Sequence, residues 1–250
     1  MSKQAEIDYV ARMSAVLQTE QAKVEHYLSR KPYSDPNRQL YFIDLGQLLR
    51  MLPPVPARVL DLGVGPGWTS EFFARSGYSV LGLDIAPDMI ELARRRLDPA
   101  LDLRFEVHDY ERSIPEDGFD AVVLYDALHH AVDEGRVIAN ALTCLKPGGR
   151  LVTMEPGRGH SQSAEALDAI AKFGTTEKDM EFAHQARLMR EAGFASVRQY
   201  MRLSQLPTED LETSEGRALQ PAHNHALFQN TLDQGSSCVV VAVKADGDQG

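Results

Sequence analysis

The stretch Arg58–Arg75, RVLDLGVGPGWTSEFFAR, decides how the rest of the chain is read. An apolar run of strand character reaches an acid at Asp61, glycines follow at Gly63, Gly65 and Gly67, and a helix-forming segment begins. Glycine at such a junction permits positive φ and close approach of a ligand to bare backbone, and the helix N-terminus behind it offers unpaired N–H donors. The spacing is G-x-G-x-G. A dinucleotide fingerprint, G-x-G-x-x-G, needs glycine at position 68, where this chain has Trp68. No G-K-[ST] follows, which excludes a P-loop.

Outward from this turn the chain repeats one unit. SVLGLDI is strand-like and PDMIELARRRL helical; DLRFEVHD, DAVVLYD and RLVTMEP read as further strands, with EGRVIANALTCLKPGG as a helix before the last. Strands rich in Val and Leu that alternate with helices predict a parallel sheet covered on both faces. Asp61, Asp84, Asp109 and Asp126 stand at or near four successive strand ends, the edge where open α/β sheets bind ligands. Asp84 lies roughly 20 residues beyond the glycines, where an acid accepts the hydroxyls of an unphosphorylated ribose.

Upstream, residues to about Ser29 carry apolar side chains at helical spacing, KPYSDPNRQ interrupts them, and LYFIDLGQLLRML forms another helix closed by PPVP. Residues 1–57 therefore read as an N-terminal helical cap and 58–250 as the main domain, with polar insertions at 157–180 and 205–237 and a last strand in CVVVAVK. The first insertion has the make-up of a lid, with small residues at Gly157, Gly159, Ser161 and Ser163 and an apolar patch at Leu167, Ile170 and Phe173. A static insertion or a dimer contact is the competing reading.

Composition narrows the function classes. The 250 residues are 43% hydrophobic, enough for a buried core, and the net charge of -10 argues against a nucleic-acid surface. Arg94–Arg96 read as the solvated side of a helix. Cys144 and Cys238 form neither a disulfide framework nor a metal spacing. The N-terminus lacks the apolar core of a signal peptide, and no apolar run approaches the ~20 residues of a membrane span. The expectation is a soluble cytoplasmic protein, monomeric or homodimeric.

Taken together and in order, VLDLGVGPG, VLGLDIAPDMIELAR, VHDYE, FDAVVLYDALHH and CLKPGGRLV resemble the class I S-adenosylmethionine-dependent methyltransferases of the small-molecule, type 11-like kind. The resemblance implies a Rossmann-like, doubly wound α/β sheet of seven strands, parallel except for the last, which CVVVAVK supplies. It implies S-adenosylmethionine as cofactor and S-adenosylhomocysteine as product. On this resemblance Asp61 and the backbone at Gly63, Val64 and Gly65 hold the methionine part, and Asp84 the ribose. Ile85 packs beside the adenine, Asp109 meets its amino group next to Tyr110, and the backbone near Tyr125 and Asp126 approaches the methionine moiety.

Methyl transfer from a sulfonium is governed by positioning, and a base is needed only for weak nucleophiles such as a hydroxyl. His129, His130 and His160 are the candidates for that base, against a reading in which they cap backbone and pack. His223 and His225 invite a metal reading, but no third ligand accompanies them, so no metal is expected. The expected reaction is methylation of a small molecule, on an oxygen of a natural product or sugar. Methylation of a nitrogen, a carbon or a protein stays open, as does a sensor or scaffold that binds cofactor without turnover. No Asn/Asp-Pro-Pro-Tyr/Phe motif follows strand four, where YDAL stands instead.

Overall fold

A computed structural model describes residues 3–205 and 238–247. Seven strands form one sheet: β1 (Arg58–Leu62), β2 (Ser79–Asp84), β3 (Leu103–Val107), β4 (Phe119–Tyr125), β5 (Leu145–Glu155), β6 (Ser196–Met201) and β7 (Cys238–Val243). Their order is β3-β2-β1-β4-β5-β7-β6. The first five pair in parallel, and β7 inserts antiparallel between β5 and β6. The strand order reverses beside β1, which places the glycine turn at the crevice between β2 and β4.

Alternation along the central strands builds two apolar layers. Leu60, Leu62, Val122 and Leu124 enter one core with Val137, Ile138 and Ala141 of helix α7 (Glu134–Cys144) and Met189 of α9 (Phe182–Ala192). Val59, Ala121 and Val123 enter the other. That layer also takes Leu45 and Leu48 of α4 (Arg38–Met51), Phe73 of α5 (Trp68–Arg75), and Ile90 and Ala93 of α6 (Pro87–Arg94). Phe73 is fully buried, so truncating it to alanine removes about 3–5 kcal/mol. Two helix starts carry side-chain caps: Asp133 accepts from the N–H of Arg136 at the head of α7, and Ser163 accepts from that of Ala166 at the head of α8 (Ala164–Phe173).

The N-terminal segment is three short helices rather than one run: α1 (Gln4–Ile7), α2 (Tyr9–Val16) and α3 (Gln21–Ser29). Asp8 sits outside helical geometry between the first two, and Gln18 takes a positive φ of 47° after the second. Val10 of α2 and Val24 and Leu28 of α3 pack on Ala86, Met89 and Leu92, which lays α2 and α3 against α6. Within the first insertion, α8 is tied to this cap by Arg12 Nη1 donating to the Phe173 carbonyl (3.1 Å) and by the Tyr9–Phe173 ring contact at 5.5 Å. Leu167, expected on the closing face of a lid, is exposed, and Ala169 meets the cavity instead. The insertion at 205–237 lies outside the described residues beyond Gln205. Among the described residues no helix is long and apolar enough to cross a membrane. Both cysteines are buried free thiols.

Candidate active site

The glycine turn is set by what stands against it. A Cβ on Gly63 would lie 2.6 Å from Cβ of Ala127, and one on Gly67 2.7 Å from Ala93 and Phe105, so the turn closes only on glycine at these two places. Asp61 belongs to this scaffold and does not reach the cavity. It is 1% exposed, and its Oδ2 accepts from Thr69 Oγ1 (2.7 Å) and Ser70 Oγ (2.6 Å) at the start of α5. Burial pushes its carboxyl up to about 6 against the pull of those two hydroxyls. Val64 is likewise turned into the core, its N–H donating to the carbonyl of Leu83. Asp61 sits one layer beneath the position expected of it, because its side chain leaves β1 on the face covered by α5.

The remaining predicted residues, Gly63, Gly65, Asp84, Ile85, Asp109, Tyr110, Asp126, His129, His130 and His160, line one cavity of about 520 Å³. That is within the ~300–1,000 Å³ typical of cofactor-sized ligands. Asp84 accepts from the N–H of Gly65 (2.8 Å) and of Ala86 (2.9 Å), which fixes its carboxylate at the end of β2 with lone pairs left for a ligand. Burial raises its carboxyl above the ordinary range, and the Ala86, Gly65 and Ile85 N–H groups hold that rise back. Asp109, just past β3, is met by Lys3 Nζ at 2.9 Å, and the same ammonium lies 3.1 Å from Glu111. Asp126 takes a positive φ of 46°, rare for a non-glycine residue. Arg202 holds it there, bonding Asp126 at 3.1–3.2 Å and the buried Asp44 of α4 at 2.6 Å. The guanidinium is shifted upward: burial opposes its charge, and Asp126 and Asp44 outweigh burial.

Across the β1 turn, over β4 and β5, the three histidines meet. His129 is buried, and its Nδ1 donates to Glu155 Oε2 at 2.7 Å. Glu155, at the end of β5, also accepts the backbone N–H groups of Ala127, Leu128 and His129, so one carboxylate shapes the whole turn after β4. Burial opposes charge on His129, but Glu155 prevails and raises its proton affinity. His130 Nδ1 faces the carbonyl of Thr176 at 2.7 Å and must donate to it, which leaves the lone pair on Nε2. Burial, then the neighbouring His129, lowers its proton affinity. His160 Nε2 lies 2.9 Å from Glu177 Oε2, and His129 Nε2 is 3.5 Å from the same oxygen.

Sequence reasoning missed Glu155, Glu177, Lys3 and Glu6. Glu155 carried the signal that found Asp84, an acid closing a buried strand. Glu177, from the first insertion, and Lys3 and Glu6, from the cap, are brought in by tertiary packing that no local pattern announces. The pair His223 and His225 lies outside the described residues.

Nothing in this geometry conflicts with a bound S-adenosylmethionine. Strand-end acids suited to a nucleoside stand over β2 and β3, and Gly65 offers open backbone at the wall. The comparisons agree. Residues 59–149 match the family model described as "Methyltransferase domain". A "Ubiquinone biosynthesis O-methyltransferase" of Xylella fastidiosa is 34% identical over 195 residues, covering 76% of this chain and 76% of the relative. One of Xanthomonas axonopodis pv. citri is 38% identical over 103 residues, spanning 40% of this chain and only 43% of the relative. In structure, phosphoethanolamine N-methyltransferase 2 of Haemonchus contortus, in complex with S-adenosyl-L-methionine, aligns with a TM-score of 0.59. That match has 21% identity and covers 89% of this chain and 60% of the other. With the sheet order, the reversed seventh strand and the glycine turn, these likenesses lead to one conclusion: the chain belongs to the class I S-adenosylmethionine-dependent methyltransferases.

Proposed function

We propose that this enzyme moves the methyl group of S-adenosylmethionine to a hydroxyl oxygen of a small organic acceptor, a natural product or a sugar. The observation that carries the reading is the division of one cavity. Asp84 and Asp109 stand over β2 and β3, while three histidines and Glu177 stand over β4 and β5, with the glycine turn between. The bound cofactor supplies an electrophilic methyl group; the chain's residues bind, orient and manage one proton. Asp84 takes the ribose hydroxyls, and Asp109, paired with Lys3, the adenine side. A hydroxyl is a weak nucleophile until its proton leaves, and His130, whose lone pair is on Nε2 and whose proton affinity burial lowers, receives that proton. Tyr9, Ala131, Pro156 and Ala169 supply apolar wall for the acceptor's carbon skeleton and keep water out. The relatives' names, O-methyltransferases of ubiquinone biosynthesis, favour oxygen over nitrogen or carbon.

The test is incubation with methyl-tritiated cofactor and a panel of phenols, sugars, amines and peptides. Label is expected on a hydroxyl compound, in a product heavier by one methylene. Label confined to amines or peptides overturns the assignment of oxygen, and absence of label from every acceptor, with S-adenosylhomocysteine still bound, favours a sensor.

A further inference from the structure

The cluster His129, His160 and Glu177 has a use beyond proton transfer. One donor atom from each lies within 4.8 Å of the other two. His160 Nε2 and Glu177 Oε2 are 2.9 Å apart, and His129 Nε2 and the same oxygen 3.5 Å. In a tetrahedral site with bonds of ~2.0–2.2 Å, ligand atoms stand ~3.3 Å from one another. The two separations from Glu177 Oε2 fall on either side of that value, and the two imidazole donors lie within 4.8 Å of each other. The donors come from three separate segments, the turn after β4, the turn after β5 and the stretch after α8, which is why no linear spacing revealed them.

The surroundings are those of a ligand set. Glu155 accepts from Nδ1 of His129 at 2.7 Å, which fixes the tautomer that leaves the Nε2 lone pair facing the cavity. This carboxylate–histidine pairing is the outer support seen behind metal-bound imidazoles. Glu177 is supported too: its Oε1 accepts from Thr175 Oγ1 at 3.0 Å, which leaves Oε2 as the ligand atom. Glu6, 3.8 Å from His130 Nδ1, adds negative charge nearby. With two carboxylates flanking the imidazoles and a third close by, the local field favours a cation. Two imidazole nitrogens and one carboxylate oxygen select first-row divalent ions such as zinc, manganese or cobalt over calcium or magnesium, which prefer all-oxygen cages.

We propose that His129 Nε2, His160 Nε2 and Glu177 Oε2 form a three-ligand site for a first-row divalent cation, with its open coordination positions facing the acceptor end of the cavity. Three protein ligands leave room for an exogenous oxygen, as in catalytic rather than structural sites. The ion-binding part stands on the donors alone; that the exogenous oxygen is the acceptor's hydroxyl rests on the proposed function. In the transfer the acceptor's O–H bond breaks and its proton goes to His130. The oxygen's electron pair forms the O–CH3 bond, and the pair of the S–CH3 bond stays on sulfur. The cation's part is to lower the energy of the oxyanion as it forms, leaving His130 a smaller task.

Untagged full-length protein, stripped with EDTA and dialysed, is titrated with Co²⁺ while visible d–d absorption and heat are followed. One equivalent is expected to bind, with a spectrum that changes when acetohydroxamate, an oxygen-donor probe, is added. His160→Ala and Glu177→Gln are expected to abolish uptake, and Glu155→Gln to weaken it about 10–100-fold. Each variant is also titrated with S-adenosylhomocysteine, so that a folded protein lacking the ion site is distinguished from an unfolded one. No uptake by the wild type, or uptake unchanged in His160→Ala and Glu177→Gln, overturns the site. Uptake that disappears in His223→Ala/His225→Ala instead moves it elsewhere and overturns it equally. A cobalt spectrum indifferent to acetohydroxamate overturns the open positions. Failure of the hydroxyl assignment reads out separately, in the methyl-transfer panel.

Discussion

Replacing Glu155 with glutamine keeps the shape of the side chain but removes its charge and one acceptor oxygen. Among the described residues, the fully buried Glu155 accepts the N–H groups of Ala127 (3.1 Å) and Leu128 (2.9 Å) on Oε1, and those of the His129 backbone (3.3 Å) and Nδ1 (2.7 Å) on Oε2. The amide oxygen can keep the first pair, and the amide NH2 then points at two donors. The imidazole relieves one conflict by moving its proton to Nε2, so that Nδ1 accepts from the amide; the His129 backbone N–H stays unpaired. One orphaned buried donor costs about 1–3 kcal/mol, and losing charge assistance about 1 kcal/mol more. The sum, about 2–4 kcal/mol, lowers Tm by about 4–16 °C in a chain of this size. The same proton shift removes the His129 Nε2 lone pair that faces the cavity, so cobalt uptake at the proposed cation site falls about 10–100-fold, well beyond what reduced stability explains. Thermal melts measure the first effect, and nitrogen NMR of labelled His129 measures the tautomer directly. A variant with unchanged Tm and the wild-type tautomer refutes Glu155 as organiser of the site.

Three other outcomes follow from the geometry. Asp84→Asn weakens S-adenosylhomocysteine binding by about 1.5–3 kcal/mol, read by calorimetry, because a charged acceptor of the ribose is lost; unchanged affinity moves the ribose elsewhere. S-adenosylhomocysteine at a hundredfold excess over Kd adds about 2.7 kcal/mol to stability, whereas NAD adds nothing; a melting shift with NAD alone refutes the cofactor assignment. Asp61 binds its proton more tightly folded, about 6, than unfolded, about 3.9, so its contribution to stability is full below pH 4 and is lost as pH rises through 6. Asp61→Asn, which keeps an acceptor for Thr69 and Ser70, abolishes that loss, and urea melts show the mutant gaining about 3 kcal/mol on wild type between pH 4 and pH 7. A difference between the two proteins that does not vary with pH refutes it.

The sheet and its cofactor edge were legible because they rest on short-range rules. Val/Leu strands alternate with amphipathic helices, glycine stands where a Cβ would strike Ala127 or Phe105, and acids close the strands. Asp61 was placed one layer too near the ligand, since motif spacing does not say which face of β1 a side chain takes. The N-terminal run read as one helix because apolar spacing continues across Asp8 and Gln18, where the backbone turns. The acceptor side was the least legible. His160 and Glu177 are 17 residues apart, and Glu6 stands 170 residues from Thr176, whose N–H it accepts. Only the packed cap and insertion bring such residues together.

The position of β7 bears on how the protein is made. Cys238–Val243 is the only segment paired with β6 among the described residues, and it also covers the outer edge of β5, with Cys238 in register with Glu155. On the ribosome, β1 to β5 can assemble as they emerge, but β5 then presents a bare, apolar edge until residue 238 has cleared the exit tunnel. Over that interval Glu155 lacks its outer neighbour, Cys238. A ribosome stalled upstream of Cys238 holds a species prone to edge-to-edge pairing, the stage at which a holding chaperone has most to protect.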